Sequence, residues 1–150
     1  MKGIDISRHN TIRSFPAIKS QGVDFCVIRA GYGTVIDAKF ESHIKAAKDC
    51  GMLVGVYWFC YALDVADARR EAEACAETLR GRQLNLPVFY DFEYDTERYA
   101  GKHKVAYSPK LRTDIIETFC TEMTKRGYKA GVYTNPDYWL YKLNADRLSK

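Results

Sequence analysis

The stretch Leu86-Pro87-Val88-Phe89-Tyr90-Asp91-Phe92-Glu93 is a short apolar run that ends in two acids. An apolar run of this length predicts a strand that is buried on both faces, as the strands of parallel sheets are. Because side chains alternate along a strand, Asp91 and Glu93 are predicted to point to the same side of the sheet. Two like charges at the end of a buried strand repel each other, which raises the pKa of one carboxyl.

This pair of carboxyl groups allows two interpretations. Folding gains little from two adjacent carboxylates, whereas glycoside hydrolysis needs one carboxyl that is protonated and another that is ionised. The alternative is a pair of solvated carboxylates that opens a loop, and perturbed acids also occur in structural networks. We favour the catalytic interpretation, and we expect Glu93 to titrate at higher pH than Asp91 and Asp5.

The length and composition predict a single globular domain over residues 1–150. The chain is 47% hydrophobic and carries a net charge of +4. Its basic residues are scattered and form no run, so we expect no nucleic-acid partner.

The cysteines and the N-terminal residues bear on cofactors and on the compartment. The five cysteines form no Cys-x-x-Cys pair and no metal-like cluster with the three histidines. We therefore expect no metal site and no cofactor, and mostly buried, reduced thiols. The first predicted strand starts at Gly3, and neither an apolar leader nor a membrane span is visible. The sequence is interpreted as a protein made in the cytosol without a signal peptide.

Strand-like and helix-like segments alternate along the chain. Strands are predicted over residues 3–7, 23–30, 53–61, 86–92 and 130–134, and helices over residues 15–20, 40–49, 65–79 and 111–125. Residues 94–109 are polar and poor in periodicity, and they are predicted to form a loop over one end of the sheet. This alternation is typical of a parallel sheet with right-handed crossovers.

Polar side chains lie at or just past the carboxyl end of each predicted strand. They are Asp5, Arg29, Tyr61, Glu93 and Asn135. Active sites of β/α barrels of the TIM type lie at this end of the strands. We therefore predict an α/β fold with a TIM-like barrel rather than an open doubly wound sheet.

The third predicted strand is unusually aromatic. Tyr57, Phe59 and Tyr61 are predicted to share one face, with Trp58 on the other. Aromatic rings beside carboxylates suit sugar binding, because the apolar faces of sugars stack on rings while phenol hydroxyls bond sugar hydroxyls. An ordinary core position is the alternative for Phe59.

Five segments of the chain, in order, resemble glycoside hydrolase family 25, the lysozymes (muramidases) common in phage endolysins and bacterial autolysins. The segments cover nearly the whole chain and are Lys2-Gly3-Ile4-Asp5-Ile6-Ser7, residues 22–33, Gly55-Val56-Tyr57-Trp58-Phe59, Pro87-Val88-Phe89-Tyr90-Asp91-Phe92-Glu93, and Ala130-Gly131-Val132-Tyr133-Thr134-Asn135-Pro136. Each motif is weak alone, but their common order makes the resemblance specific.

The resemblance implies a peptidoglycan hydrolase that cleaves the β-1,4 bond between N-acetylmuramic acid and N-acetylglucosamine in the bacterial cell wall. Matched residue by residue, Glu93 takes the place of the general acid, Asp91 that of its neighbouring carboxylate, and Asp5 that of the acid on the first strand. The positions that the family uses to line its substrate cleft are Arg29, Tyr57, Phe59, Tyr61 and Tyr133. Arg29 has an alternative role, which is to pair with the inward carboxylates and offset their repulsion.

Several points stay open at this stage. The carboxylate spacing on the strand suits either a retaining or an inverting enzyme, and the resemblance implies retention assisted by the acetamido group of the substrate. Family members carry further strands after the fifth, so we expect an incomplete barrel with about five of its eight strands, impaired activity, and self-association through unpaired strand edges. A non-catalytic glycan-binding module or half of an assembly, and a chitinase-like hydrolase, are the alternatives.

Overall fold

The computed structural model describes residues 1–149, which form one mixed α/β unit built on a single sheet. The strands described are β1 (Gly3–Ile6), β2 (Phe25–Tyr32), β3 (Val35–Ile36), β4 (Leu53–Phe59), β5 (Val88–Phe92) and β6 (Ala130–Thr134). Their order is β1-β2-β4-β5-β6, every neighbouring pair in this series is parallel, and β3 pairs antiparallel with β2. Over residues 1–149 the sheet does not close into a barrel, and β1 and β6 are its edges.

Helices connect the parallel strands. Those described are α1 (Phe15–Ser20), α2 (Phe40–Asp49), α3 (Val65–Leu79), α4 (Tyr94–Lys102), α5 (Pro109–Lys125), α6 (Pro136–Tyr141) and α7 (Ala145–Leu148). Side-chain caps mark where three of them begin. Ser14, Asp64 and Ser108 each accept the backbone N–H of the residue three positions later, at 3.2, 2.8 and 3.1 Å. Gly51 and Gly127, with positive φ, follow the ends of α2 and α5.

The core lies on one face of the sheet. Alternate strand residues, among them Ile28, Val56, Trp58 and Tyr90, are fully buried, and they form one cluster with buried residues of α2, α3 and α5. The residues between them on the strands point to the opposite face, where most of them are half-buried and several line a groove. Alternation along the strands therefore separates a helix-covered core from a site.

The predicted loop over residues 94–109 is wrong. Tyr94–Lys102 is helix α4, and Pro109 already begins α5. The sequence did not predict this helix because it lacks a stripe of apolar residues. Its buried residues are Thr96 and Ala100, one turn apart. It begins directly after Glu93, whose backbone N–H donates to Thr96 Oγ1 at 3.2 Å.

The carboxyl ends of two predicted strands differ from the observed ends by two residues. The second strand runs on to Tyr32, because β3 turns back against it and pairs Tyr32 with Val35. Gly33, with a φ of 54°, makes this tight reversal possible. The third predicted strand ends at Phe59, so that Tyr61 lies beyond the strand.

Candidate active site

A groove of about 610 Å³ opens on the face of the sheet that the helices leave free. Seven of the eight predicted site residues line it: Asp5, Arg29, Tyr57, Phe59, Asp91, Glu93 and Tyr133. They come from β1, β2, β4, β5 and β6 and from the position just after β5. Because these strands are parallel, their carboxyl ends meet at one edge of the sheet, which brings together residues that are far apart in the sequence.

Asp91 is the most deeply placed acid of the groove, with only 7% of its surface exposed. Burial, followed by the negative charges of Glu93 and Asp5, raises the pKa of Asp91 to about 8, although the positive charge of Arg29 opposes this rise. Its Oδ1 atom is buried and has no hydrogen-bond partner among the described residues. Asp91 therefore holds a proton near neutral pH and offers an unsatisfied polar atom to a ligand.

Glu93 stands one residue past the end of β5, as the residue that caps α4. Burial and the charge of Asp5 raise its pKa, but less than that of Asp91 because Glu93 is only half-buried. The expectation that Glu93 has the highest pKa of the three acids is therefore wrong. Asp91 lies deeper on the strand than Glu93, and its greater burial raises its pKa more.

Arg29 is held by an acid that the sequence analysis missed. Its Nε donates to Asp37 Oδ2 at 2.6 Å, and the Asp37 side chain is completely buried. Asp37 also accepts the backbone N–H groups of Arg8, at 3.1 Å, and Lys39, at 2.9 Å. Burial alone would raise the pKa of Asp37, but the hydrogen bonds from Lys39, Arg29 and Arg8 hold it below its ordinary value. Asp37 is thus the ionised partner of Arg29.

The alternative role suggested for Arg29 was to pair with the inward acids and offset their repulsion. The direct pairing is wrong, because Arg29 forms its ion pair with Asp37, but its charge does oppose their repulsion. Arg29 acts on the groove through space, because its charge lowers the pKa of Asp91. Its Nη2 atom is buried and has no partner among residues 1–149. The guanidinium therefore keeps a donor free beside the acids.

The aromatic residues divide into two groups. Tyr57 and Phe59 line the groove, and burial raises the pKa of Tyr57 to about 12, so that its phenol remains a hydrogen-bond donor. Tyr133 also lines it and is 56% exposed. Tyr61 does not line the groove. Its ring packs against Phe59 at 5.1 Å and against Tyr99 of α4 at 4.5 Å between ring centroids.

A comparison with known protein families identifies the family of this chain. The family model described as "Glycosyl hydrolases family 25" matches residues 4–150. The chain belongs to glycosyl hydrolase family 25. This confirms the resemblance seen in the sequence motifs.

Curated family 25 relatives are longer than this chain. It is 30% identical over 144 residues to "Probable GH family 25 lysozyme 2" of Dictyostelium discoideum, covering 93% of this chain and 63% of the relative. It is 27% identical over 146 residues to "Autolytic lysozyme" of Clostridium acetobutylicum, covering 97% of this chain and 41% of the relative. The chain thus spans less than two thirds of either relative.

Solved structures of the family share the fold. The modular autolysin LytC from Streptococcus pneumoniae superposes with a TM-score of 0.84 at 25% identity, over 97% of this chain and 35% of that one. The GH25 lysozyme from Aspergillus fumigatus superposes with a TM-score of 0.76 at 26% identity, over 93% of this chain and 68% of that one. These matches confirm the barrel-like α/β fold of family 25, here with an open sheet.

The residues that the structure describes include neither a metal-ligand cluster nor a membrane-spanning helix. Within residues 1–149, no group of three or more His, Cys, Asp or Glu side chains is placed to hold a metal ion. None of the helices described there combines the length and the apolar character needed to cross a membrane.

Proposed function

We propose that this chain hydrolyses bacterial peptidoglycan at the β-1,4 bond between N-acetylmuramic acid and N-acetylglucosamine. The observation that carries the proposal is the groove in which Asp91 and Glu93, both with raised pKa values, lie beside Asp5 and the guanidinium of Arg29. Family membership supports the same activity, and the structural relative LytC has also been solved in complex with a synthetic peptidoglycan ligand.

Glu93 is the proposed general acid. A general acid must hold a proton before it acts, and burial together with the charge of Asp5 raises the pKa of Glu93, which favours its protonated form. Its half-buried position at the end of β5 leaves the carboxyl accessible to the oxygen of a leaving sugar. Proton transfer to that oxygen breaks the glycosidic bond and leaves positive charge on the sugar that remains.

Asp91 and Asp5 are the proposed partners of that positive charge. The unpartnered Oδ1 of Asp91 can accept the N–H of a sugar acetamido group, which would orient the acetamido oxygen toward the anomeric carbon. In that arrangement the acetamido oxygen bonds the anomeric carbon as the glycosidic bond breaks. A water that gives a proton to the Glu93 carboxylate then displaces the acetamido oxygen, which restores the acid and gives net retention. Hydrogen bonding to the acetamido N–H and the positive charge that develops both favour the ionised form of Asp91, so that its proton passes to solvent water as the substrate binds and the carboxylate then faces the charge.

The remaining groove residues are proposed to bind the glycan. Tyr57 offers a phenol donor, Phe59 and the exposed ring of Tyr133 offer apolar faces, and Arg29 offers its free Nη2. Tyr61, predicted as a fourth aromatic contact, is proposed to act indirectly by supporting Phe59.

The β6 edge is proposed as a surface for self-association. Tyr133 of β6 and Leu140 of α6 line a shallow pocket at this unpaired edge and are 56% and 65% exposed. Exposed apolar side chains next to an unpaired strand favour pairing with a second polypeptide. The site of action is proposed to be the bacterial cell wall, reached after release of the protein.

The test compares the parent with Glu93→Gln on purified peptidoglycan and on chitin. The substitution should lower the rate of wall hydrolysis by roughly 10²–10⁴-fold, because it removes a positioned proton donor. Glu73→Gln, which changes an exposed acid of α3, is the matched control and should hydrolyse wall like the parent. Binding without hydrolysis by the parent would favour a glycan-binding module, and equal turnover of chitin would favour a chitinase.

A further inference from the structure

Another buried acid lies across the sheet from the groove. Glu71 of α3 is only 2% exposed, and both of its carboxyl oxygens are engaged. The backbone N–H of Tyr61 donates to Oε1 at 2.9 Å, and the hydroxyl of Tyr90 donates to Oε2 at 2.8 Å. Because Tyr90 alternates with the groove residue Asp91 along β5, Glu71 lies on the helix-covered face. One side chain of α3 thus holds the carboxyl ends of β4 and β5 together.

The two groups that Glu71 holds flank the main chain of Asp91. Tyr90 immediately precedes Asp91, and its ring stacks on Phe119 of α5 with centroids 3.9 Å apart and planes 3° apart. On the other side, the N–H of Cys60, next to Tyr61, donates to the carbonyl of Asp91 at 2.9 Å. The peptide units around Asp91 are therefore fixed from outside the groove.

The carboxyl of Asp91 has no comparable support of its own. Its Oδ1 is buried and unpartnered, and no hydrogen bond to its side chain is present in the described part of the chain. A side chain without hydrogen bonds takes its direction from its backbone and its packing. The direction of the Asp91 carboxyl in the groove consequently depends on how firmly β5 is held at Tyr90.

We propose that Glu71 is a positioning residue for Asp91, acting through Tyr90 and the Tyr61 backbone. Packing alone does not account for an acid at this place, because burial raises the pKa of Glu71 to about 8 against the hydrogen bonds from Tyr90 and Tyr61. An apolar side chain would fill the space without that cost. What an apolar side chain lacks is a pair of acceptors that joins the two strand ends.

The inference rests on the proposed hydrolytic function, and kinetics give its first test. Glu71→Ala should lower kcat by roughly 10–100-fold while KM stays within about threefold, because a shift of about 1 Å in a reacting group has this effect. Glu71→Gln keeps an acceptor for the Tyr61 N–H and a polar atom for the Tyr90 hydroxyl. Its kcat should therefore stay within about threefold of the parent value. Glu71→Gln activity as low as that of Glu71→Ala would overturn the proposal.

Thr113→Val is the matched control. Thr113 is a fully buried tether of α5, whose hydroxyl bonds the carbonyl of Pro109 at 2.8 Å and the N–H of Asn144 at 2.9 Å. It does not line the groove. Loss of the Thr113 hydroxyl should lower the stability of the fold without lowering kcat. If Thr113→Val lowers kcat as much as Glu71→Ala, the effect is general destabilisation and the proposal is wrong.

A readout independent of activity separates this inference from the proposed function. Carbon-13 NMR of the Asp91 carboxyl should give a pKa of about 8 in the parent. The pKa should fall in Glu71→Ala, because a looser β5 admits water, and should stay in Glu71→Gln and Thr113→Val. Glu71 is not among the charges that shift Asp91, so such a change reports geometry.

Each outcome of the titration has a defined meaning. A shift confined to Glu71→Ala supports positioning even if the parent hydrolyses nothing, in which case only the proposed function fails. An Asp91 titration that is the same in Glu71→Ala and in the parent would overturn positioning even if the parent is active. If Glu71→Ala does not fold, Tyr90→Phe removes the hydroxyl but keeps the ring on Phe119, and the same comparison applies.

Discussion

Replacing Asp37 with asparagine removes the buried partner of Arg29. The Arg29 side chain is 11% exposed and that of Asp37 is 0% exposed, with 2.6 Å between Nε and Oδ2. Asparagine presents one carbonyl oxygen and one NH₂ group where the carboxylate accepts three N–H groups, so at least one donor meets another donor. Breaking a buried pair on one side costs about 3–5 kcal/mol, so we expect Asp37→Asn to lose that much free energy of unfolding.

Urea unfolding followed by circular dichroism measures this loss directly. In thermal unfolding, about 3–5 kcal/mol corresponds to a Tm lower by roughly 6–20 °C for a chain of this length. Asp49→Asn is the control, because Asp49 forms an ion pair with Lys45 whose side chains are 60% and 77% exposed, and it should leave the unfolding midpoint unchanged. A loss below about 1 kcal/mol for Asp37→Asn would refute the reasoning.

The same substitution has a signature in acid. The folded pKa of Asp37 is lowered by its hydrogen bonds against the effect of burial. Its contribution to stability is therefore present above the pKa of the unfolded chain and is lost as pH falls through the lower folded pKa. As pH falls from the unfolded pKa to the lower folded pKa, the difference in stability between the parent and Asp37→Asn should shrink. A difference that stays constant in acid would contradict the role of the Asp37 charge.

The remaining predictions concern Asp91, Tyr57 and the β6 edge. The folded pKa of Asp91 is raised from 3.8 to about 8, so the folded state binds more protons than the unfolded state between these values and loses stability as pH rises. Asp91→Asn should therefore be more stable than the parent, by a margin that grows with pH over this range in urea unfolding; a margin independent of pH would contradict it. Tyr57→Phe should raise KM for peptidoglycan more than it lowers kcat, in steady-state kinetics, because it removes a donor that binds the glycan; an unchanged KM would argue against that contact. Leu140→Glu should reduce self-association in light scattering, since it places a charge on a side chain that is 65% exposed beside β6; association equal to that of the parent would exclude this surface.

Regular elements were predictable because their patterns are local. The helices over residues 40–49 and 65–79 and the strand over residues 130–134 have the predicted bounds. Apolar spacing and terminal glycines reflect burial of one face, which the sequence displays directly. The placement of Asp91 and Glu93 on one side of the sheet followed from strand alternation alone and is also confirmed.

The supporting acids were not predictable, because their roles come from tertiary contacts. Glu71 lies in α3 three residues after Ala68 and four before Cys75, a spacing that places it on the buried face, but nothing local indicates that it meets Tyr90, 19 residues away. Asp37 follows the short β3 strand, which was itself missed, and its signal is only an acid after a glycine turn. Tyr61 was assigned to the groove because the strand was extended two residues too far.

Analysis of the products from purified peptidoglycan tests the central claim most directly. If the acids of the groove cleave the proposed bond, mass spectrometry should find fragments that end in a reducing N-acetylmuramic acid with the parent and with Glu73→Gln, and at least about 10²-fold fewer with Glu93→Gln. Fragments that end in reducing N-acetylglucosamine, or equal yields with and without the Glu93 carboxyl, would contradict it.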